Sequence, residues 1–107
     1  AIPLLDKAIA RYEKQFAADP RQRYAAAGNV ETLFYLTKAA NEGKEAYIID
    51  PRWAELYYLR AYAHNELGEL AAGKADLDAL LALQPANAQA LNERRRFRAG
   101  DRIQPMD

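Results

Sequence analysis

Pro51 and Pro85 stand 34 residues apart, and each closes an apolar run of helical spacing. Between them Ala54, Tyr57, Ala61, Gly68 and Leu77 read as two helices joined by a tight turn at the glycine. A unit of this period cannot bury its apolar face alone. It has to stack on neighbours, which constrains the chain to helical pairs and turns attention to the surface that stacking leaves open.

The flanking sequence predicts more helices. Leu5, Ile9, Tyr12 and Phe16 recur at steps of four, three and four, one face of a helix from residue 2 or 3 to 18 that Asp19-Pro20 ends. Residues 21–27 form a short Ala-rich segment stopped by Gly28, and Asn29 offers a side-chain cap to the next helix. Val30, Leu33, Phe34, Leu36, Ala40, Tyr47 and Ile48 then predict a helix that bends or breaks around Asn41-Glu42-Gly43. Residues 53–67 and 70–83 predict antiparallel helices about Gly68. Asn87 caps a last helix carrying Ala88, Leu91 and Phe97, and Gly100-Asp101 with Pro105 predicts a frayed tail. No stretch alternates apolar and polar residues between turn signals, so no strand is predicted. The expected class is all-α, a short α-solenoid of antiparallel helix pairs in one domain over residues 1–107. Its expected parts are a partial repeat or N-terminal cap (1–20), a degenerate repeat (21–51), a good repeat (52–85) and a C-terminal helix with tail (86–107).

Composition narrows the partners. At 107 residues the chain is one domain, and half its residues are hydrophobic, which argues against disorder. Lys+Arg and Asp+Glu both number 15, so no global field draws it to nucleic acid. The absence of cysteine removes disulfides, thiolate zinc sites and cysteine nucleophiles together. No apolar run approaches the roughly 20 residues of a membrane span. The start at Ala1 reads as a processed or excised chain, and cytoplasmic, periplasmic and secreted settings all suit the composition.

Residues 54–85 resemble the tetratricopeptide repeat family. Tyr57 takes the family's bulky aromatic slot, Ala61 the small slot, Gly68 the turn, Leu77 the large apolar slot of the second helix and Pro85 the terminator. Residues 8–20 look like the second helix of a preceding unit and 87–92 like the start of a following one. The departures are specific. Gly73 stands where the family usually has Ala, His64 where an aromatic is common, and Pro20 to Pro51 spans 31 residues. Arg94, Arg95 and Arg96 fall where a further unit needs an apolar and a small residue, so the array is expected to end there under a solvated cap helix. Residues 31–36, with Trp53-Ala54-Glu55 and Asn87-Ala88-Gln89, are also similar to bacterial tetratricopeptide proteins of unassigned role, a likeness that supplies no activity.

The resemblance implies that the first helix of each unit lines a concave groove, presenting Glu55, Tyr58, Leu59, Tyr62, Asn65 and Glu66, with Asn92 and Arg96 from the next unit. The implied function is a non-enzymatic scaffold module that binds a peptide or protein segment, for which tyrosines offer large area and a polar tip. Members that bind chaperones clamp a terminal carboxylate with Lys, Arg and Asn. Tyr58 and Tyr62 in those slots argue against a clamp, while Asn92 and Arg96 retain a weaker form. The alternative is a structural or oligomerisation domain pairing through exposed solenoid faces, the stripe of Leu5, Ile9, Tyr12 and Phe16 first among them. Arg94, Arg95, Arg96, Arg98 and Arg102 around Phe97 read as a helix end favoured by the macrodipole ahead of a nucleic-acid site. His64 is the only histidine. No phosphate loop, nucleophile elbow or paired-carboxylate constellation is present in the sequence, and no catalytic residue, metal or cofactor is expected.

Overall fold

The computed structural model describes residues 2–19 and 21–98, with side chains through residue 95. Its elements are α1 (Ile2–Phe16), β1 (Gln22–Ala25), α2 (Asn29–Asn41), β2 (Ala46–Ile49), α3 (Arg52–Glu66), α4 (Leu70–Leu83) and α5 (Ala88–Arg98). The class is all-α with one small parallel sheet. Gly68 (φ 79°) turns the chain between α3 and α4, which a three-residue connection forces to run antiparallel. Asn87 caps α5, its Oδ1 accepting from the Ala90 N–H at 3.0 Å. Residues 99–107, where the frayed tail was expected, lie outside the described residues.

The expectation of no strands is corrected. Residues 22–25 and 46–49 pair in parallel, Arg23 opposite Tyr47 and Tyr24 opposite Ile48, with α2 as the crossover helix. Both strands are covered on both faces, so neither shows the polar alternation by which a half-exposed strand is recognised. The four-residue run of Ala46, Tyr47, Ile48 and Ile49 has the same apolar look as a buried helical turn. The predicted break around Asn41-Glu42-Gly43 is a full stop: Gly43 (φ 70°) reverses the chain, and β2 comes next. Asn29 does not cap α2. It is the first helical residue, and Gly28 holds the cap position without a side-chain bond.

Strand alternation sorts the interior into two clusters. Tyr24 and Ala26 face α2, where they meet Tyr35 and Ala39 with Ala46 and Ile48 packed alongside, and Tyr24 stacks on Tyr35 with centroids 4.9 Å apart. Ala25, Tyr47 and Ile49 face the other way, into the larger cluster built by Ile9, Tyr12, Ala54, Tyr57, Tyr58, Ala61, Leu77 and Leu80. The molecule is thus α2, then the sheet, then the α1–α3–α4 layer. This arrangement also covers, within the chain, the α1 stripe through which self-association was expected. Ile9 and Tyr12 are buried within the chain, Leu5 and Phe16 are partly buried, and Tyr12 packs its ring against Phe16 and Trp53, each at 5.2 Å.

Candidate functional site

On α3 the residues at 54, 57, 58, 61 and 65 form the buried stripe, while 55, 59, 62 and 66 form the neighbouring outward row. Two predicted groove residues therefore belong to the core: Tyr58 is 2% exposed and Asn65 0%. Neither can anchor a partner. Their neighbours divide differently, with Glu55, Leu59 and Glu66 exposed and Tyr62 half-buried against the core. Asn92 is exposed on α5, and the side chain of Arg96 lies outside the described ones. The cleft at this end, bounded by Pro51, Glu55, Tyr58, Gln84, Asn87 and Gln89, measures only about 190 Å³.

Charged groups tie the helical layer together. Arg60 of α3 grips the buried Asp76 of α4 with a two-bond fork, Nη2 to Oδ1 at 2.7 Å and Nε to Oδ2 at 2.9 Å, and its Nη1 reaches Asp6 of α1 at 2.8 Å. These hydrogen bonds, Asp76 first, hold the guanidinium pKa above its usual value against desolvation. His64 stands beside the fork, Nδ1 3.2 Å from Glu69 Oε1 and Nε2 3.8 Å from Asp76 Oδ2. The cluster clamps three helices, with both Asp76 carboxylate oxygens committed to Arg60. Among the described residues no group of three or more His, Asp or Glu is arranged to hold a metal ion.

A polar cleft of about 370 Å³ lies where α1 and β1 meet α3 and α4, lined by Glu13, Arg21, Gln22, Arg23 and Tyr57. Some of its groups are already engaged. Tyr57 donates to Glu13 at 3.0 Å, and burial together with that bond keeps the phenol protonated well above its ordinary range. Arg21 is forked onto Asp19 and lies over the Tyr47 ring at 4.3 Å.

The surface with large uncovered apolar area is on α2. Val30 is 86% exposed, Leu33 67% and Phe34 54%, on a helix of only 13 residues whose sheet-facing side is already satisfied by Tyr35 and Ala39. Phe34 and Val30 border two clefts. The larger, about 760 Å³, runs from Ala27-Gly28 across Phe34 and Tyr35 to Gln84, Ala86 and Asn87; the other, about 610 Å³, continues past Leu33 to Thr37 and Asn41. The floor is rigid. The Tyr35 ring is buried and stacked, and Gln84 is fixed by donating to the Ala25 carbonyl at 3.0 Å and accepting from Asn87 at 2.9 Å. Glu31 in the first turn offsets the positive end of the α2 dipole, so the cleft favours apolar groups over anions.

Periodicity alone hides this site, because Val30, Leu33 and Phe34 pass for interior residues. A signal is nonetheless present: apolar residues at 30, 33, 34, 35, 36, 39 and 40 surround the helix, more than one buried face can use. No protein-family model matches the chain, and neither curated proteins nor solved structures gave a match.

Proposed function

We propose that this chain is a non-enzymatic interaction module that holds a peptide or protein segment in the apolar cleft between α2 and the α4–α5 connection. The observation that carries the reading is the exposure of Val30, Leu33 and Phe34 side by side on one helix beside a cleft with a rigid floor. Uncovered apolar area of this kind is costly to leave in water and marks a surface that a partner covers. Phe34 is the main anchor, Val30 and Leu33 flank it, and Gln84 and Asn87 supply polar contacts at the rim. The resemblance of residues 54–85 to the tetratricopeptide family supports a binding role of the same kind. It rests on the α3–α4 pair, with Ala61 and Leu77 packed into its core. In this reading α3 lies outside the cleft, and Glu55, Leu59, Tyr62, Glu66 and Asn92 form a secondary surface.

The test is selection of peptides from a displayed random library against the folded chain, followed by titration of the winners against variants. Phe34→Ala is expected to weaken binding by about 2 kcal/mol or more, while Leu4→Ala, an exposed apolar site on α1, leaves it unchanged. Winners indifferent to Phe34 but lost on Leu59→Ala would return the site to α3. Winners that depend on neither would remove the proposal.

A further inference from the structure

The outer edge of β2 is open. Hydrogen bonds from Gln22 N–H to the Glu45 carbonyl (3.1 Å) and from Ala26 N–H to the Ile49 carbonyl (3.3 Å) fix which residues of the second strand face the first. Odd positions 45, 47 and 49 point at β1, so Ala46 and Ile48 aim both N–H and C=O outward, and among the described residues these groups have no protein partner. The other edge is managed differently. There the outward carbonyls of Arg23 and Ala25 accept from the side chains of Gln22 and Gln84. β2 carries no proline, charge or bulge within its Ala-Tyr-Ile-Ile run, the devices that ordinarily protect an exposed edge.

We infer that a second copy of this chain covers that edge, β2 pairing antiparallel with β2 across a two-fold axis to give one four-stranded sheet. The inference is independent of the peptide-binding reading. The register, the flanking charges and the flank of α2 together fit a second copy. Only registers that set even residues against even residues let the outward groups meet. The register centred on Tyr47 pairs the most of them, Ala46 with Ile48 of the second copy and Ile48 with its Ala46. That same register sets Lys44 just before β2 against Asp50 just after it, opposite sign to opposite sign at both ends, on a chain with no net charge to repel its copy.

The third observation is the flank of α2. At about 100° per residue, Leu36 and Ala40 lie opposite Glu31 and Phe34, which face Gln84 and Ala86 on the β1 side, so Leu36 and Ala40 overhang the β2 edge. Both are exposed. Pairing the edges puts the two α2 helices on one face of the joined sheet about two strand spacings apart, roughly 9.5 Å, which is the separation at which helices pack. The small Ala40 suits that approach.

The experiment uses the natural absence of cysteine. Chains carrying Ala46→Cys and Ile48→Cys, distinguishable by mass, are mixed and oxidised, and sedimentation of the unaltered chain is measured over a range of concentrations. A concentration-dependent dimer is expected, with the mixed disulfide exceeding either same-site disulfide by about tenfold, because paired residues come within disulfide reach while same-site residues are displaced along the strand. Leu36→Arg, at an exposed position outside the core, is expected to weaken the dimer about tenfold or more without changing the circular dichroism spectrum. A chain that stays monomeric at high concentration overturns the inference. So does a dimer whose same-site and mixed disulfides form equally, or one indifferent to Leu36→Arg.

Discussion

Asp19 and Asp50 each precede a Pro-Arg pair, and in both places the carboxylate accepts from the arginine backbone N–H at 2.9 Å and from its guanidinium fork. The bonds from Arg21, side chain first, hold the Asp19 carboxyl down to about 2, and those from Arg52 lower Asp50 in the same direction. A folded carboxyl that is the stronger acid stabilises the fold fully above the ordinary aspartate value of 3.8, and that contribution disappears as pH falls toward 2. Asp19→Asn should therefore flatten the acid limb of the unfolding profile followed by circular dichroism; an unchanged limb would assign the acid sensitivity to other groups. Asp76 differs because it is buried and paired to a cation that cannot deprotonate. Asp76→Ala is expected to cost about 3 kcal/mol or more in urea, and Asp6→Ala, at the exposed end of the same cluster, about 1 kcal/mol or less. Equal losses would show that Arg60 relaxes to solvent when either partner is removed. Tyr58→Ala should lower stability by about 3–5 kcal/mol, as for any large core truncation, where a surface anchor would lose almost nothing.

Elements are legible in proportion to how one-sided their burial is. The α1, α3 and α4 segments each bury one stripe, and the 3.6-residue period in Leu5, Ile9, Tyr12 and Phe16, in Tyr57 and Ala61, and in Leu77, Leu80 and Leu81 exposes them to inspection. The β1–α2–β2 unit hides for the opposite reason. Its strands are packed from both sides, and its helix is apolar on the side that meets the sheet and on the side that meets solvent. The site is obscured by the same cause, since Val30 and Phe34 look like core until the sheet is seen to be covered already by Tyr35 and Ala39. On α3 the tyrosine-rich chemistry is plain in the sequence, but the outward row is narrower than the expected face: Glu55, Leu59, Tyr62 and Glu66 lie on it, while Tyr58 and Asn65 at its margin turn into the core. Two measurements belong to this scale. Gly28 has φ 80° and ψ 168°, a region essentially closed to other residues, and a Cβ there would meet nothing within 4 Å, so Gly28→Ala should cost about 1–3 kcal/mol from backbone strain alone. A neutral outcome would mean that the loop into α2 readjusts. Phe34→Ala should leave stability within about 0.5 kcal/mol of the parent, because more than half of its surface is already exposed.

In the whole molecule the two interior clusters are unequal. The large one draws on α1, both strands, α3, α4 and α5, whereas the one beneath α2 rests on Tyr24, Ala26, Tyr35 and Ala39. Native-state hydrogen exchange should accordingly release the α2 amides at lower denaturant than those of α3 and α4; simultaneous release would make the molecule a single cooperative unit. A partner bound over Phe34 would then raise α2 protection selectively, through the local opening that it suppresses.

The parallel pairing of Arg23 with Tyr47 carries a consequence for the order of assembly. Contacts between α3 and α4 close across a three-residue turn, while the sheet cannot form until an entire crossover helix has been looped back, so refolding is expected to build the α3–α4 hairpin early and the sheet late. Synthesis runs the other way, delivering α1 and both strands before the helices that shelter them. For that interval Ala25 and Ile49 stand without the α3–α4 roof, and a chain with this topology depends on α3 arriving faster than another unfinished copy does.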